Sequence, residues 1–141
     1  HMTFDIDLAK KQSNDNPLFY VQYVHARICS IFGNAKDKGV DPERAFDAAK
    51  TVLNAEERGM ILKLMWFGSV LEACVRESSP HLLTTYLSEL SALFHSFYTR
   101  HKVLDAAEPE TTAFRLFLLK AVKHVIARGL GLLGVTAPEK M

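Results

Sequence analysis

The strongest constraint in this chain is its punctuation: residues that start and stop helices recur at helical spacing, and nothing between them alternates with a period of two. Asn16-Pro17 reads as an N-cap followed by proline at the first helical position. The helix it opens is expected to run to about Lys38, where Gly39 ends it, with Gly33 as an earlier break point. Asp41-Pro42-Glu43 predicts the start of a short second helix. Asn54-Ala55-Glu56-Glu57 has the spacing of a capping box, with Glu57 able to reach back to the Asn54 N–H, and the helix beyond it is expected to extend to about Glu77. Ser79-Pro80 opens another, ending near His101. The last is expected from around Pro109 to Leu133, with Gly134 as the C′ residue. Asp5 to Lys11 offers a short leading helix. There is no Asn-Gly or Asp-Gly hairpin signal, no internal repeat and no low-complexity tract. The pattern predicts an all-α fold, an irregular bundle of five to six helices.

The length of 141 residues suits one domain that needs no covalent staples. The leading His1-Met2 resembles a cloning scar and is set aside. Only Cys29 and Cys74 are present, far apart and each in an apolar stretch, which excludes a disulfide framework and a cysteine-rich zinc site and fits a reducing compartment. No apolar run approaches ~18 residues and no signal peptide is visible, so a cytoplasmic chain without a membrane span is expected. The net charge of +1 argues for no partner, but its distribution is uneven. Residues 111–141 carry five bases (Arg115, Lys120, Lys123, Arg128, Lys140) against the single acid Glu139. Such a segment can face phosphate, and a solvated helix face has the same composition.

The helix faces carry more information. At ~100° per residue, Leu18, Val21, His25, Ile28 and Phe32 form one stripe, which is expected to pack. Tyr20, Tyr23, Arg27, Ser30 and Asn34 form another on the opposite side. After Pro80, Leu82, Tyr86, Leu87, Leu90, Leu93, Phe94 and Phe97 make a broad apolar face with Tyr98 at its edge. On the last helix Phe114, Leu118, Val122, Val125, Leu132 and Leu133 are expected to pack, with Lys120, Lys123 and His124 turned away.

Catalytic signatures are missing. There is no G-x-S-x-G, no P-loop and no H-E-x-x-H. Gly129, Gly131 and Gly134 give a G-x-G-x-x-G string, but at the end of a predicted helix rather than after a strand, where a dinucleotide site would need it. His95 and His101 are six apart and fall on different helix faces, so no metal site is expected. His25 reads as a satisfied core histidine, and the two thiols as packed. The residues describe a helical binding module. Tyr20, Tyr23 and Arg27 share a face, while Tyr98, Arg100, His101 and Lys102 cluster at a helix end. Rings beside cations suit unstacked bases and phosphates. The same tyrosines can equally pack between helices with their hydroxyls hydrogen-bonded, or dock a protein partner.

Longer strings bear on this choice. Phe4-Asp5-Ile6-Asp7-Leu8-Ala9 is followed by Asn16-Pro17-Leu18-Phe19-Tyr20-Val21-Gln22-Tyr23-Val24-His25-Ala26-Arg27-Ile28. This resembles the arginyl-tRNA synthetases, in which F-D-x-D-L-A precedes N-P-x-Y-Y-V-Q-Y-A-H-A-R-I. The resemblance continues through Tyr86-Leu87-Ser88-Glu89-Leu90 and Phe94-His95-Ser96-Phe97-Tyr98, and ends on the string from Gly129 to Met141, which is similar to that family's C-terminus.

The resemblance implies the helical anticodon-binding (DALR) domain of a class I enzyme over residues 16–141, preceded at 3–15 by the tail of the catalytic half. The H-I-G-H and K-M-S-K-S signatures of class I synthetases are absent. The parent would then join arginine to its tRNA with ATP and Mg²⁺, and this fragment would have no cofactor of its own and be inactive alone. It implies contacts with the anticodon loop of arginine tRNA for Tyr23, Val24, Arg27, Tyr98, Lys102 and Met141, with the catalytic domain as partner in cis and a monomeric state. Val24 stands where the family usually has alanine, and Lys102 where some relatives have an aromatic.

Overall fold

The computed structural model describes residues 16–141. The leading helix expected at Asp5–Lys11 and the 3–15 linker lie outside the described residues. Asn16 caps the first helix, its side-chain oxygen accepting from the Leu18 N–H at 3.0 Å. Helix α1 then runs Pro17–Asp37, passing Gly33 without a break. It ends in a Schellman turn: Gly39 takes φ +69, its N–H donates to the Lys36 carbonyl, and the Val40 N–H donates to that of Ala35 at 2.9 Å.

The helix expected at Asp41-Pro42-Glu43 does not form. Residues 41–47 are turn and irregular chain, followed by a 3-10 turn at Ala48–Lys50. Asp41 does start a turn, accepting from the Glu43 N–H at 2.9 Å, but partners on the last helix take the side chains that follow. Arg44 donates to Glu110, Lys120 reaches Glu43, and Phe46 packs between Phe114 and Phe117. Tertiary pairing outweighs a weak local helix signal.

The capping box at Asn54 and Glu57 closes in both directions and opens α2, Ala55–Met65. The helix expected to continue to Glu77 breaks at Trp66, and α3 spans Phe67–Arg76. The Lys63 carbonyl explains the break. In a continuous helix it would accept from the Phe67 N–H, but here it accepts from the Trp66 N–H and from the Tyr86 hydroxyl at 2.8 Å. Helix α4 covers His81–Arg100 and α5 covers Pro109–Leu132, with Gly134 at φ +74 as the expected C′ residue. The described residues thus hold five α-helices and no strand.

One core joins all five. Helix α1 lies against α4 and α5, while α2 packs on α4 and α5 and α3 on α4. Its centre contains Val24, Ile28, Met60, Tyr86, Leu90, Phe94, Phe97, Leu119, Val122 and Ile126. The stripe expected on α1 is rotated and wider than its sequence pattern: Val24, Ile31 and Ala35 are buried with Val21, His25 and Ile28, whereas Leu18 is exposed. A helix wedged between two others buries more than the ~100° arc of a surface helix. Leu132, expected in the core, faces solvent. At Gly129, an added Cβ would come within 2.6 Å of a Leu87 methyl, so the glycine lets α5 approach α4 closely.

Candidate nucleic-acid interface

Helical periodicity brings the aromatic face of α1 onto α4. Tyr20, Tyr23 and Arg27 recur at three- and four-residue steps, and between them they meet His95 and Tyr98, one turn apart on α4. The His95 ring lies nearly parallel to both tyrosines, with centroids 4.7 Å from Tyr20 and 5.8 Å from Tyr23. Phe94 sets its edge against His95 and stacks on Tyr98 at 5.6 Å. The Arg27 guanidinium sits over the Tyr98 ring, 5.0 Å from its centroid. The result is a continuous row of rings ending in an exposed cation. Burial pushes the Tyr20 phenol above its ordinary value and the His95 imidazole below its own, so both are neutral at pH 7. His95 Nε2 is buried without a hydrogen-bond partner.

Of the residues expected to meet RNA, Tyr23, Arg27 and Tyr98 come together in this row. Tyr98 already carries Arg27, so an arriving base would meet a guanidinium plane backed by a ring rather than a bare phenol face. Lys102 lies in the loop after α4, exposed and paired with Asp105 at 3.3 Å. Val24 does not reach the surface: it is 0 % exposed, on the side of α1 that enters the core. The extra methyls that distinguish it from alanine fill the interior, so its side chain is not among the groups that the row presents.

Met141 is 53 % exposed and belongs to the other flank of α1. A second Schellman turn explains its path. The Val135 N–H donates to the Leu130 carbonyl at 2.9 Å, reversing the chain at Gly134 so that it runs along α1. Gln22 Nε2 donates to the Thr136 carbonyl at 2.8 Å. His25 Nδ1 lies 2.8 Å from the Pro138 carbonyl and therefore carries the hydrogen, because a carbonyl can only accept. His25 is thus a satisfied buried histidine, as expected. At ~100° per residue, Gln22, His25 and Cys29 centre roughly 160° from Tyr20, Tyr23 and Arg27, with the exposed Ser30 and Gly33 between the two flanks.

The base of the site is fixed from the far side. Arg115 Nε donates to Glu57 at 2.7 Å, with side chains 15 % and 2 % exposed, and Arg115 Nη1 donates to the Lys102 carbonyl at 2.8 Å. Glu57 also accepts from the Asn54 N–H, so one carboxylate ties the start of α2 to α5 and to the loop after α4. Beside it, Glu56 accepts from Arg100 at 2.6 Å and faces His101 at 3.3 Å. The Arg100 hydrogen bond holds the Glu56 carboxyl below its usual range, helped by its own helix-start N–H and by His101. The basic excess of the C-terminal segment is partly spoken for, since Arg115 and Lys120 are both paired.

Periodicity alone could have assigned His95, which precedes Tyr98 by three residues on the same face. The roles of Gln22 and His25 depend on chain more than 100 residues away, and no local signal exposes them. Among the described residues no group of three or more His, Cys, Asp or Glu side chains could hold a metal ion, and no helix is long and apolar enough to cross a membrane.

The described residues thus form an all-helical bundle that presents a row of rings ending in a cation. The family model for the DALR anticodon binding domain matches residues 21–141, and the chain belongs to that family. It is 50 % identical over 141 residues to the arginine–tRNA ligase of Elusimicrobium minutum, covering 100 % of this chain and 26 % of that protein. It is 46 % identical to the arginine–tRNA ligase of Citrifermentans bemidjiense, covering 99 % of this chain and 25 % of that one. The Thermus thermophilus arginyl-tRNA synthetase structure superposes with a TM-score of 0.79 at 32 % identity, over 98 % of this chain and 23 % of its own. The chain therefore spans about a quarter of the length of these relatives.

Proposed function

We propose that this chain binds the anticodon loop of arginine tRNA as one domain of an arginine–tRNA ligase. The observation that carries the reading is the row Tyr20–His95–Tyr23 and Tyr98–Arg27, set on a chain of the anticodon binding domain family. Unstacked bases are recognised by stacking on aromatic or guanidinium planes, and the row supplies both. Tyr23, Arg27 and Tyr98 meet the bases, Lys102 approaches a phosphate after exchanging its partner Asp105, and the tail bearing Lys140 and Met141 offers main-chain groups to base edges. Val24 supports Tyr23 from within the core. Attachment of arginine with ATP and Mg²⁺ belongs to the three quarters of the relatives' length that this chain does not span, so the chain acts in cis with a catalytic domain, as a cytoplasmic monomer, and is inactive by itself.

Binding to an arginine-tRNA anticodon stem-loop, titrated against an unrelated stem-loop at two salt concentrations, tests the reading. Affinity is expected to fall steeply with salt, because phosphate contacts release counterions. Tyr98→Ala is expected to weaken binding by about 1–3 kcal/mol while the helical circular dichroism is unchanged. Salt-insensitive binding to protein alone, with no RNA bound, would replace this reading with that of a protein-interaction module.

A further inference from the structure

We infer that Gln22 and His25 are positioning residues that hold the C-terminal tail on the opposite flank of α1 from Tyr20, Tyr23 and Arg27, across the exposed edge at Ser30 and Gly33, where a bound loop can meet both; the inference rests on the anticodon reading above. The geometry is a two-point clamp. Gln22 Nε2 and His25 Nδ1 lie one helical turn apart on α1 and take the carbonyls of Thr136 and Pro138, each at 2.8 Å. In extended chain, carbonyls two residues apart point to the same side and lie roughly 6.6 Å apart. Three helical residues rise about 4.5 Å, and the length of two side chains spans the difference. Pro138 has no N–H to satisfy, and its ring biases Ala137 before it towards extended backbone.

The clamp is directional. Thr136 is beside Gln22 and Pro138 beside His25, so the tail follows α1 from its N-terminal towards its C-terminal end. Glu139 then lies close enough to Cys29, one turn past His25, for its charge to act on the thiol. Glu139, Lys140 and Met141 are exposed, and burial by itself does not fix them. What orients them is the pair of side-chain hydrogen bonds immediately upstream. A single stretch of α1 thus reads RNA with Tyr23 and Arg27 while its alternate residues set the tail.

The test measures the tail and the RNA separately, in the 141-residue chain. Heteronuclear ¹⁵N relaxation of the Glu139 and Lys140 amides reports tail order without RNA. His25→Ala and Gln22→Ala are expected to mobilise these amides and lower affinity for the arginine-tRNA anticodon stem-loop by about tenfold, the scale of one lost hydrogen bond. His25→Asn is expected to restore both, because its amide N–H occupies nearly the position of Nδ1–H; a general packing role would not be rescued by so small a side chain. In a chain ending at Ala137, His25→Ala is expected to cost no further affinity. Tail amides as rigid in His25→Ala as in the parent chain would overturn the clamp. A mobilised tail with unchanged affinity, while Tyr98→Ala still weakens binding, would overturn the positioning role and leave the anticodon reading intact. Absence of RNA binding by every chain would overturn both.

Discussion

His95 is held flat against two tyrosine rings, while its buried Nε2 finds no hydrogen-bond partner. The stack favours the ring; the orphaned nitrogen works against it, because an unsatisfied buried polar atom costs on the order of 1–3 kcal/mol. Burial holds the folded-state imidazole below its ordinary value of 6.5. The unfolded chain therefore takes up a proton first as pH falls. This contribution to stability is complete above about pH 6.5 and is lost as pH falls through the window just beneath it. His95→Phe keeps a ring in the row and removes both the orphan and the titration. It is expected to stabilise the fold by about 1 kcal/mol at neutral pH, and by more at about pH 5.5. Thermal melts of the two chains at both pH values check this, and an equal gain at each would show that His95 does not titrate in that window.

The helices differ in how far their own residues determine them. Asn16-Pro17, the Asn54–Glu57 box, Gly39 and Gly134 act within a few residues of themselves, and each marks a boundary found in the structure. The break at Trp66 is set by Tyr86, 23 residues beyond Lys63, and the unwound 41–47 segment by partners on α5, so neither is visible locally. The site divides in the same way. Tyr23, Arg27 and Tyr98 could be read from helical periodicity, whereas the burial of Val24 follows from the wedging of α1 between two helices. One boundary is built against local preference. Ser78 ends α3 at φ 50, where its N–H donates to the Val75 carbonyl and the Ser79 N–H to that of Cys74. This is the Schellman arrangement that glycine serves at positions 39 and 134, and a side chain there costs about 1 kcal/mol. Ser78→Gly is expected to return about that much, measured as a higher urea midpoint with an unchanged m-value.

At the scale of the whole molecule, one arginine connects three parts of the chain. Arg115 on α5 pairs with Glu57 of α2, donates to the Lys102 carbonyl after α4, and lies over the Phe97 ring at 5.6 Å. Its removal leaves a carboxylate 2 % exposed without its cation. Breaking a buried pair in this way costs about 3 kcal/mol or more, because the remaining charge stays desolvated. Arg115→Ala is therefore expected to lower the melting temperature sharply, and Glu57→Gln in the same chain to recover part of the loss by removing the stranded charge. Calorimetry of the two single variants and the double variant checks this, and purely additive losses would show that the two residues act independently.

The reach from Gln22 to Thr136 spans 114 positions, and α1 also needs α5 to cover its inner side. On the ribosome, where residues are added at about 5–20 per second, Gln22 leaves the exit tunnel roughly 6–23 s before Thr136. During that interval Val24, Ile28 and Ile31, all buried in the finished fold, have no complete enclosure. Among the described helices, the one that carries Tyr20 and Tyr23 is thus the one a nascent chain must leave unfinished longest. A chaperone binding apolar helices would find its target there, and a chain cut short before α5 would carry the mark of its own incompleteness.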